Sequence, residues 1–239
     1  MNNISEKPDE DFQSNDNEKN ISSKGENELY NELIKKFETT QVIAHNTDHT
    51  ANSIPLGSFC FAVSFILYGF YECKVHKDED NILYMVILFF GGIGQLTAGI
   101  FEILKSRTYP ATLYITYSLY FLSFYFAKKN DIFNKADVSK IYFGTWIFLG
   151  APLILLSLRI NLFFLIQNIS AVAFFVIKTI GYCCDSGPLK GVISGILELV
   201  AGFSSIYICF GQILNQHFSG TILPTIPFKK NNEVDNFLI

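Results

Sequence analysis

The chain has 239 residues, 49% of them hydrophobic, with 24 Phe and 12 Tyr and a formal net charge of −4. Residues 1–50 hold 11 of the 22 acidic and 5 of the 18 basic residues, a net of −6, so the remaining 189 residues hold 11 acids and 13 bases, a net of +2. That distribution does not indicate a nucleic-acid partner, and the Phe- and Tyr-rich composition with charge concentrated in one tail argues against an ordinary soluble protein.

In chain order, Met1 to Thr50 is rich in Asn, Glu, Asp, Ser and Lys and has no apolar run at its start. It is neither a secretory signal nor an Arg-rich transit peptide. Such a segment buries too little apolar surface to offset its ordering entropy and reads as a disordered acidic tail, residues 1–50. Within it, "NELYNELIKKFE" (residues 27–38) has the periodicity of a short surface helix.

From residue 51 to 227 apolar stretches alternate with short polar punctuation. A helix needs about 20 mostly apolar residues to cross a hydrocarbon core of roughly 30 Å. Six stretches meet or approach this, about 56–74, 82–104, 110–127, 141–158, 161–182 and 189–212. Their separators, "KVHKDED", "KSRT", "KKNDIFNKADVSK", Arg159 and "DSGPLK", leave no room for a soluble domain and make successive helices antiparallel. Tyr68, Tyr71, Tyr125, Tyr142, Trp146 and Tyr182 fall near span ends, as an aromatic belt places them. The fold class is an all-α membrane protein, a six-helix transmembrane bundle embedded in a lipid bilayer, with residues 228–239 as a short C-terminal tail. Both termini lie on one side, and the Lys and Arg balance of the loops does not choose that side.

Small residues point to close helix packing: Gly187, Gly191 and Gly195 lie four apart, and the second span carries Gly91, Gly92, Gly94, Ala98 and Gly99. The five cysteines form no Cys-x-x-Cys pair and read as small hydrophobes in or beside the spans. No nucleophile–base pair or metal cluster stands in the spans, so neither an enzyme nor a cofactor is expected.

The first span opens with helix-breaking chemistry. Pro55 and Gly57 stand at its start, where proline is tolerated in the first turn, and Asn52 lies just upstream with an amide that can cap free N–H groups or face a ligand. Helix N-termini suit anions, and transporters place exposed helix starts at substrate sites. Together, "NSIPLGSFCFAV", "FFGGIGQLTAGIFE" and "LNQHFSGTILP" resemble the succinate–acetate permease family, also called acetate uptake transporters. Members begin the first span with Asn-Pro-x-Pro-Leu-Gly, carry Gly-Gly-x-x-Gln-x-x-Ala-Gly-x-x-Glu in the second, and close the sixth with Leu-Asn-x-x-Phe-x-x-Thr-x-Leu-Pro. The resemblance covers residues 52–227 and makes this segment a six-span transporter domain.

It implies cytosolic termini, a plasma-membrane location and a homo-hexamer with one pore per protomer. It implies uptake of acetate, and in some members succinate, with protons as co-substrate or in a channel-like way. Carried onto matching positions, the entrance is Asn52, Pro55, Leu56 and Gly57, and the hydrophobic constriction is Phe61, Tyr117 and Ala171. Gln95 and Glu102 match the second-span motif. The chain departs from the pattern at Ser53, where a Pro is expected, at Ala171, usually Leu in bacterial members, and at Gln212, where Glu is usual. Ala171 predicts a pore wider by most of a side chain.

Ionisable groups inside spans mark pathways or pairs. They are Glu102, Lys178 and Glu198; the last two are expected at similar depth on adjacent helices, either as an ion pair or with Glu198 taking a proton during transport. Phe61 and Tyr117 form a dry gate that a bare carboxylate crosses only at large desolvation cost, offset in part by Asn52, Tyr117, Thr116 or Ser118. Two alternatives stand beside carboxylate transport: an ammonium or ammonia exporter, and a non-transporting membrane scaffold or sensor that keeps the fold.

Overall fold

The computed structural model describes residues 31, 32, 35, 51–75 and 81–228. Asn31, Glu32 and Lys35 are helical; the rest of residues 1–50, including most of the 27–38 segment, and residues 229–239 lie outside the described residues. The chain divides into two units, Met1–Ala51 and Asn52–Ile239.

The second unit is a bundle of six long helices. Helix α1 (Ile54–Glu72) has its proline in the first turn, where no backbone hydrogen bond is lost. It stops at Cys73, ahead of Lys74 in the left-handed region at φ 58°. Helix α2 (Asn81–Leu104) widens to a π-helix over Ile87–Gly94, "ILFFGGIG". Its paired glycines let the next helix pass close by: a Cβ on Gly91 would lie 2.5 Å from the Phe121 ring and one on Gly92 2.4 Å from Leu122. Helix α3 (Thr108–Lys129) and helix α4 (Ala136–Ser157) are joined by a single 3₁₀ turn, Ile132–Asn134. Helix α5 (Leu162–Cys183) is capped by Asn161, whose Oδ1 accepts from the Phe164 N–H at 3.0 Å. Helix α6 (Leu189–His217) also begins as a π-helix, Leu189–Ile193.

Five of these helices are long and apolar enough to cross a membrane; α3 is the exception. It is 22 residues long but carries five tyrosines, which depress its hydropathy. Those rings point inward: Tyr114, Tyr117 and Tyr120 are fully buried and make α3 the aromatic axis of the bundle. The outside shows the reverse of a soluble protein. Phe148 is 80% exposed and Ile141 72%, while Gln95, Glu102, Gln167, Asn168, Lys178 and Glu198 are buried. Apolar groups face lipid and polar groups face the interior, as in a membrane-spanning bundle.

Glycines set how closely the helices cross. A Cβ on Gly195 would lie 2.9 Å from the Gly69 carbonyl, and one on Gly202 would lie 2.5 Å from Ile66, so α1 and α6 meet backbone to backbone. A Cβ on Gly191 would meet only Glu72, its backbone oxygen at 3.5 Å and its Oε2 at 3.9 Å, and one on Gly187 would meet nothing within 4 Å, so the close face runs through Gly195 and Gly202 rather than along the whole glycine series. After α6 the chain folds back. Asn215 Oδ1 accepts from the N–H groups of Ile222 (2.8 Å) and Leu223 (2.9 Å), and its Nδ2 donates to the Leu223 carbonyl. The returning stretch of chain then meets the start of α5, where the Leu162 N–H donates to Ile226 O at 3.1 Å.

Candidate functional site

At the end of the bundle where α1, α3 and α5 begin, the entrance motif is built into a polar cluster. Asn52 Oδ1 accepts from the Ile54 N–H at 3.1 Å and faces Arg107 Nη1 at 3.4 Å. Its Nδ2 donates to Gln212 Oε1 at 3.1 Å. The Ser53 hydroxyl donates to Glu102 Oε1, and Arg107 lies 3.7 Å from the other carboxylate oxygen. Glu102 is thus buried and paired at the helix ends. Pro55 and Leu56 sit on the outer side of this turn, Leu56 being 44% exposed. Gly57 is where the Tyr114 ring crosses α1: an added Cβ would come within 2.6 Å of that ring. Tyr114 then anchors the helix start by donating to Ile54 O at 3.0 Å.

Phe61, Tyr117 and Ala171 lie seven, nine and nine residues into three parallel helices, at similar depth, roughly 10–14 Å at about 1.5 Å per residue. All three are buried. The Phe61 and Tyr117 rings stand edge to face, centroids 4.9 Å apart. Ala171 brings only a methyl group, but the ring one turn later on α5, Phe174, stands edge to face with Phe65 at 6.2 Å. Phe65 in turn stacks on Phe61 at 4.3 Å. On the entrance side of these rings, Asn168 donates to the Tyr109 hydroxyl at 3.0 Å and to Phe164 O, and its Oδ1 lies 3.4 Å from the Tyr117 hydroxyl.

The other polar candidates are dispersed. Ser118 donates to Gly92 O at 2.8 Å and ties α3 to the π segment of α2. Thr116 lines a shallow cavity on the α2–α3 flank with Ser106, Arg107 and Thr112, apart from the aromatic rings. Gln95 is fully buried, and its amide, like that of Gln167, has no hydrogen-bond partner among the described residues.

Lys178 and Glu198 do not pair. Lys178 Nζ sits 2.7 Å from Glu72 at the end of α1 and also donates to Lys190 O. Glu198 is nine residues into α6 whereas Lys178 is five from the end of α5, so the Glu198 Cα lies about four residues, or roughly 6 Å, deeper. Glu198 is 2% exposed, and its Oε2 has no hydrogen-bond partner among the described residues. Sequence reasoning does not single out Arg107, Tyr109, Asn168, Phe65 or Phe174 as site residues. The Gln167–Asn168 pair in the middle of an apolar span is the available signal for Asn168, since amides inside a membrane demand partners; nothing in the sequence distinguishes Phe65 and Phe174 from the other phenylalanines.

A lipid-facing apolar shell around buried carboxylate, amide and ammonium groups, with a layer of packed aromatic rings inside it, defines a helical membrane-spanning bundle. The chain belongs to the GPR1/FUN34/yaaH family, whose profile matches residues 35–230. It is 28% identical over 185 residues to the succinate-acetate/proton symporter SatP of Escherichia coli K12, covering 73% of this chain and 94% of that one. It is 22% identical over 199 residues to the ammonia transport outward protein 2 of Saccharomyces cerevisiae, covering 77% of this chain and 69% of that one. Among solved structures it resembles the bacterial acetate channel SatP, with a TM-score of 0.69 and 25% identity over 74% of this chain and 99% of that one.

Proposed function

We propose that this protein moves acetate or a similarly short carboxylate across the membrane, with a proton or in a channel-like way, through a pathway inside each protomer of a homo-oligomer, the hexamer being the expected form. Both termini are cytosolic and the membrane is the plasma membrane. The substrate meets Asn52 at the mouth formed by Asn52, Pro55, Leu56 and Gly57, then Asn168 and Tyr109, then the constriction of Phe61, Phe65, Tyr117 and Phe174 beside Ala171. Glu198, beyond the constriction, is the candidate proton carrier.

What supports this reading is the aromatic layer with hydrogen-bonding groups on one side and, on the other, the buried Glu198, whose Oε2 has no hydrogen-bond partner among the described residues. A bare carboxylate pays heavily to enter such a layer, so the layer favours a small weak acid that crosses with its proton. The bundle's similarity to a solved acetate channel supports the same class of substrate. The likeness to the yeast ammonia transport protein gives the ammonium reading some support. Against it, the cavity at the far end is lined by four lysines and one glutamate, surroundings that repel an ammonium ion.

The test is uptake of labelled acetate at acidic and neutral pH in cells lacking their own carrier, comparing the chain with Asn52→Ala at equal surface level. Uptake that rises at low pH and falls in the variant is expected. Background uptake by both, with the protein at the surface, removes acetate transport and brings the ammonium or scaffold reading forward.

A further inference from the structure

At the end of the bundle opposite Asn52 there is a cavity of about 460 Å³ whose charged lining is Lys74, Lys128, Lys178 and Lys190 against Glu72, a formal +3. The lysines are not equivalent. Lys190 Nζ is held 2.6 Å from Asp185, an exposed carboxylate that it keeps below the usual carboxylate range. Lys128 and Lys190 also lie over the rings of Tyr71 and Tyr182. Lys178 is the innermost. Its side chain is 5% exposed, and its ammonium lies 5.8 Å from the centroid of Phe174, the α5 ring of the constriction. Two of its N–H groups go to Glu72 and to Lys190 O, and an ammonium has three. The last cation before the dry layer therefore holds a carboxylate already, and that carboxylate belongs to the protein.

We propose that Glu72 is a tethered stand-in for the substrate: at this mouth a transported carboxylate displaces Glu72 from Lys178, and Lys178 delivers it to the aromatic constriction. This rests on the carboxylate-transport reading. The exchange conserves charge, one carboxylate replacing another on one ammonium, so it avoids the cost of leaving a buried lysine unpaired. Glu72 stands at the last turn of α1, next to the left-handed Lys74, and has open cavity in front of it to swing into. The surrounding lysines raise the local concentration of anions and leave the choice of anion to Lys178.

A tethered competitor has a distinctive signature: removing it strengthens binding of the ligand it imitates. Acetate is titrated calorimetrically into the full-length protein in lipid nanodiscs, and counterflow of labelled acetate is measured in proteoliposomes, for the native chain, Glu72→Gln, Lys178→Gln, Lys178→Arg and the double variant Glu72→Gln/Lys178→Gln. Glu72→Gln is expected to tighten acetate binding about tenfold and Lys178→Gln to weaken it about tenfold, the scale of one charge-assisted hydrogen bond. Lys178→Arg stays near the native value. Lys178→Gln alone strands Glu72, so the double variant separates folding from binding: it restores the melting temperature and still binds weakly. The proposal is overturned if Glu72→Gln weakens binding as Lys178→Gln does, if neither changes it, or if the double variant binds as tightly as Glu72→Gln. Binding that follows the expected order without flux in any variant sinks the transport reading and keeps this site. Flux without that order does the opposite, and a native chain that neither binds nor carries acetate removes both.

Discussion

Phe174→Ala tests whether the constriction has moved one turn along α5. The ring is fully buried between Phe65 at 6.2 Å, Phe143 at 6.1 Å and Tyr120 at 6.4 Å. In a bilayer the transfer part of a core truncation largely vanishes, because lipid is as apolar as the core, and the cavity part remains. Removing a phenyl group leaves about 100 Å³, which at about 24 cal/mol per Å³ costs roughly 2.4 kcal/mol. That is a clear drop in melting temperature for a protein that still folds. The functional effect is larger in kind. With Ala171 one turn away, the variant has two methyl groups where the α5 side of the constriction stood. Discrimination by an apolar site runs at about 1–3 kcal/mol per methylene, so a native preference for acetate over butyrate of at least about tenfold is expected, and Phe174→Ala brings the ratio near one. Ala171→Leu adds bulk beside Phe174 and slows both substrates. Proteoliposome flux for the two acids, with melting curves on the same preparations, reads all of this. A folded Phe174→Ala with an unchanged acetate-to-butyrate ratio refutes the placement of that ring in the path.

Arg107→Ala leaves Glu102 with Ser53 alone in a buried setting. A loss of about 3 kcal/mol or more is expected from breaking a buried pair, and adding Glu102→Gln restores most of the melting temperature by removing the stranded charge. On the α1–α6 crossing, Gly195→Leu meets the Gly69 backbone and abolishes monodisperse protein, while Gly187→Ala, with open space around it, behaves as the native chain in size-exclusion chromatography.

The fold class is readable because the bilayer imposes length and polarity on each helix separately, and six apolar runs with short separators admit few arrangements. Tyrosine-rich α3 shows where hydropathy alone fails and why the span is still legible: its tyrosines are amphipathic, and in the bundle the rings of Tyr114 and Tyr117 are buried with their hydroxyls bonded to Ile54 O and Asn168 Oδ1. The π segments of α2 and α6 are not legible, since widening a turn depends on what crosses the helix there. The partner of Lys178 escapes the sequence for a related reason. Counting residues from the loop equates depth with sequence distance, but α5 runs to Cys183 and α6 starts at Leu189, which sets Glu198 below Lys178 and leaves the lysine level with the end of α1. Position along one helix is local information; which third helix supplies the partner is not.

The three departures from the family pattern bear on whether this chain has kept a pathway. Ser53, in place of a proline, adds a hydroxyl that bonds Glu102 and so ties the start of α1 to the end of α2. Gln212, in place of an acid, accepts from the Asn52 amide, so the entrance residue keeps an oriented partner without a charge beside it. Ala171, in place of a larger side chain, lies one turn before Phe174, whose ring meets Phe65 and continues the aromatic layer. A chain drifting into a purely structural role has no reason to make good each loss at the residue that faces it. Here the mouth is connected across four segments, through Asn52, Glu102, Arg107 and Gln212, and the dry layer is continuous from Phe61 to Phe174. That pattern weighs against the scaffold alternative. On the far side of the layer, Glu198 is buried with no hydrogen-bond partner for its Oε2 among the described residues, a group that packing alone does not explain.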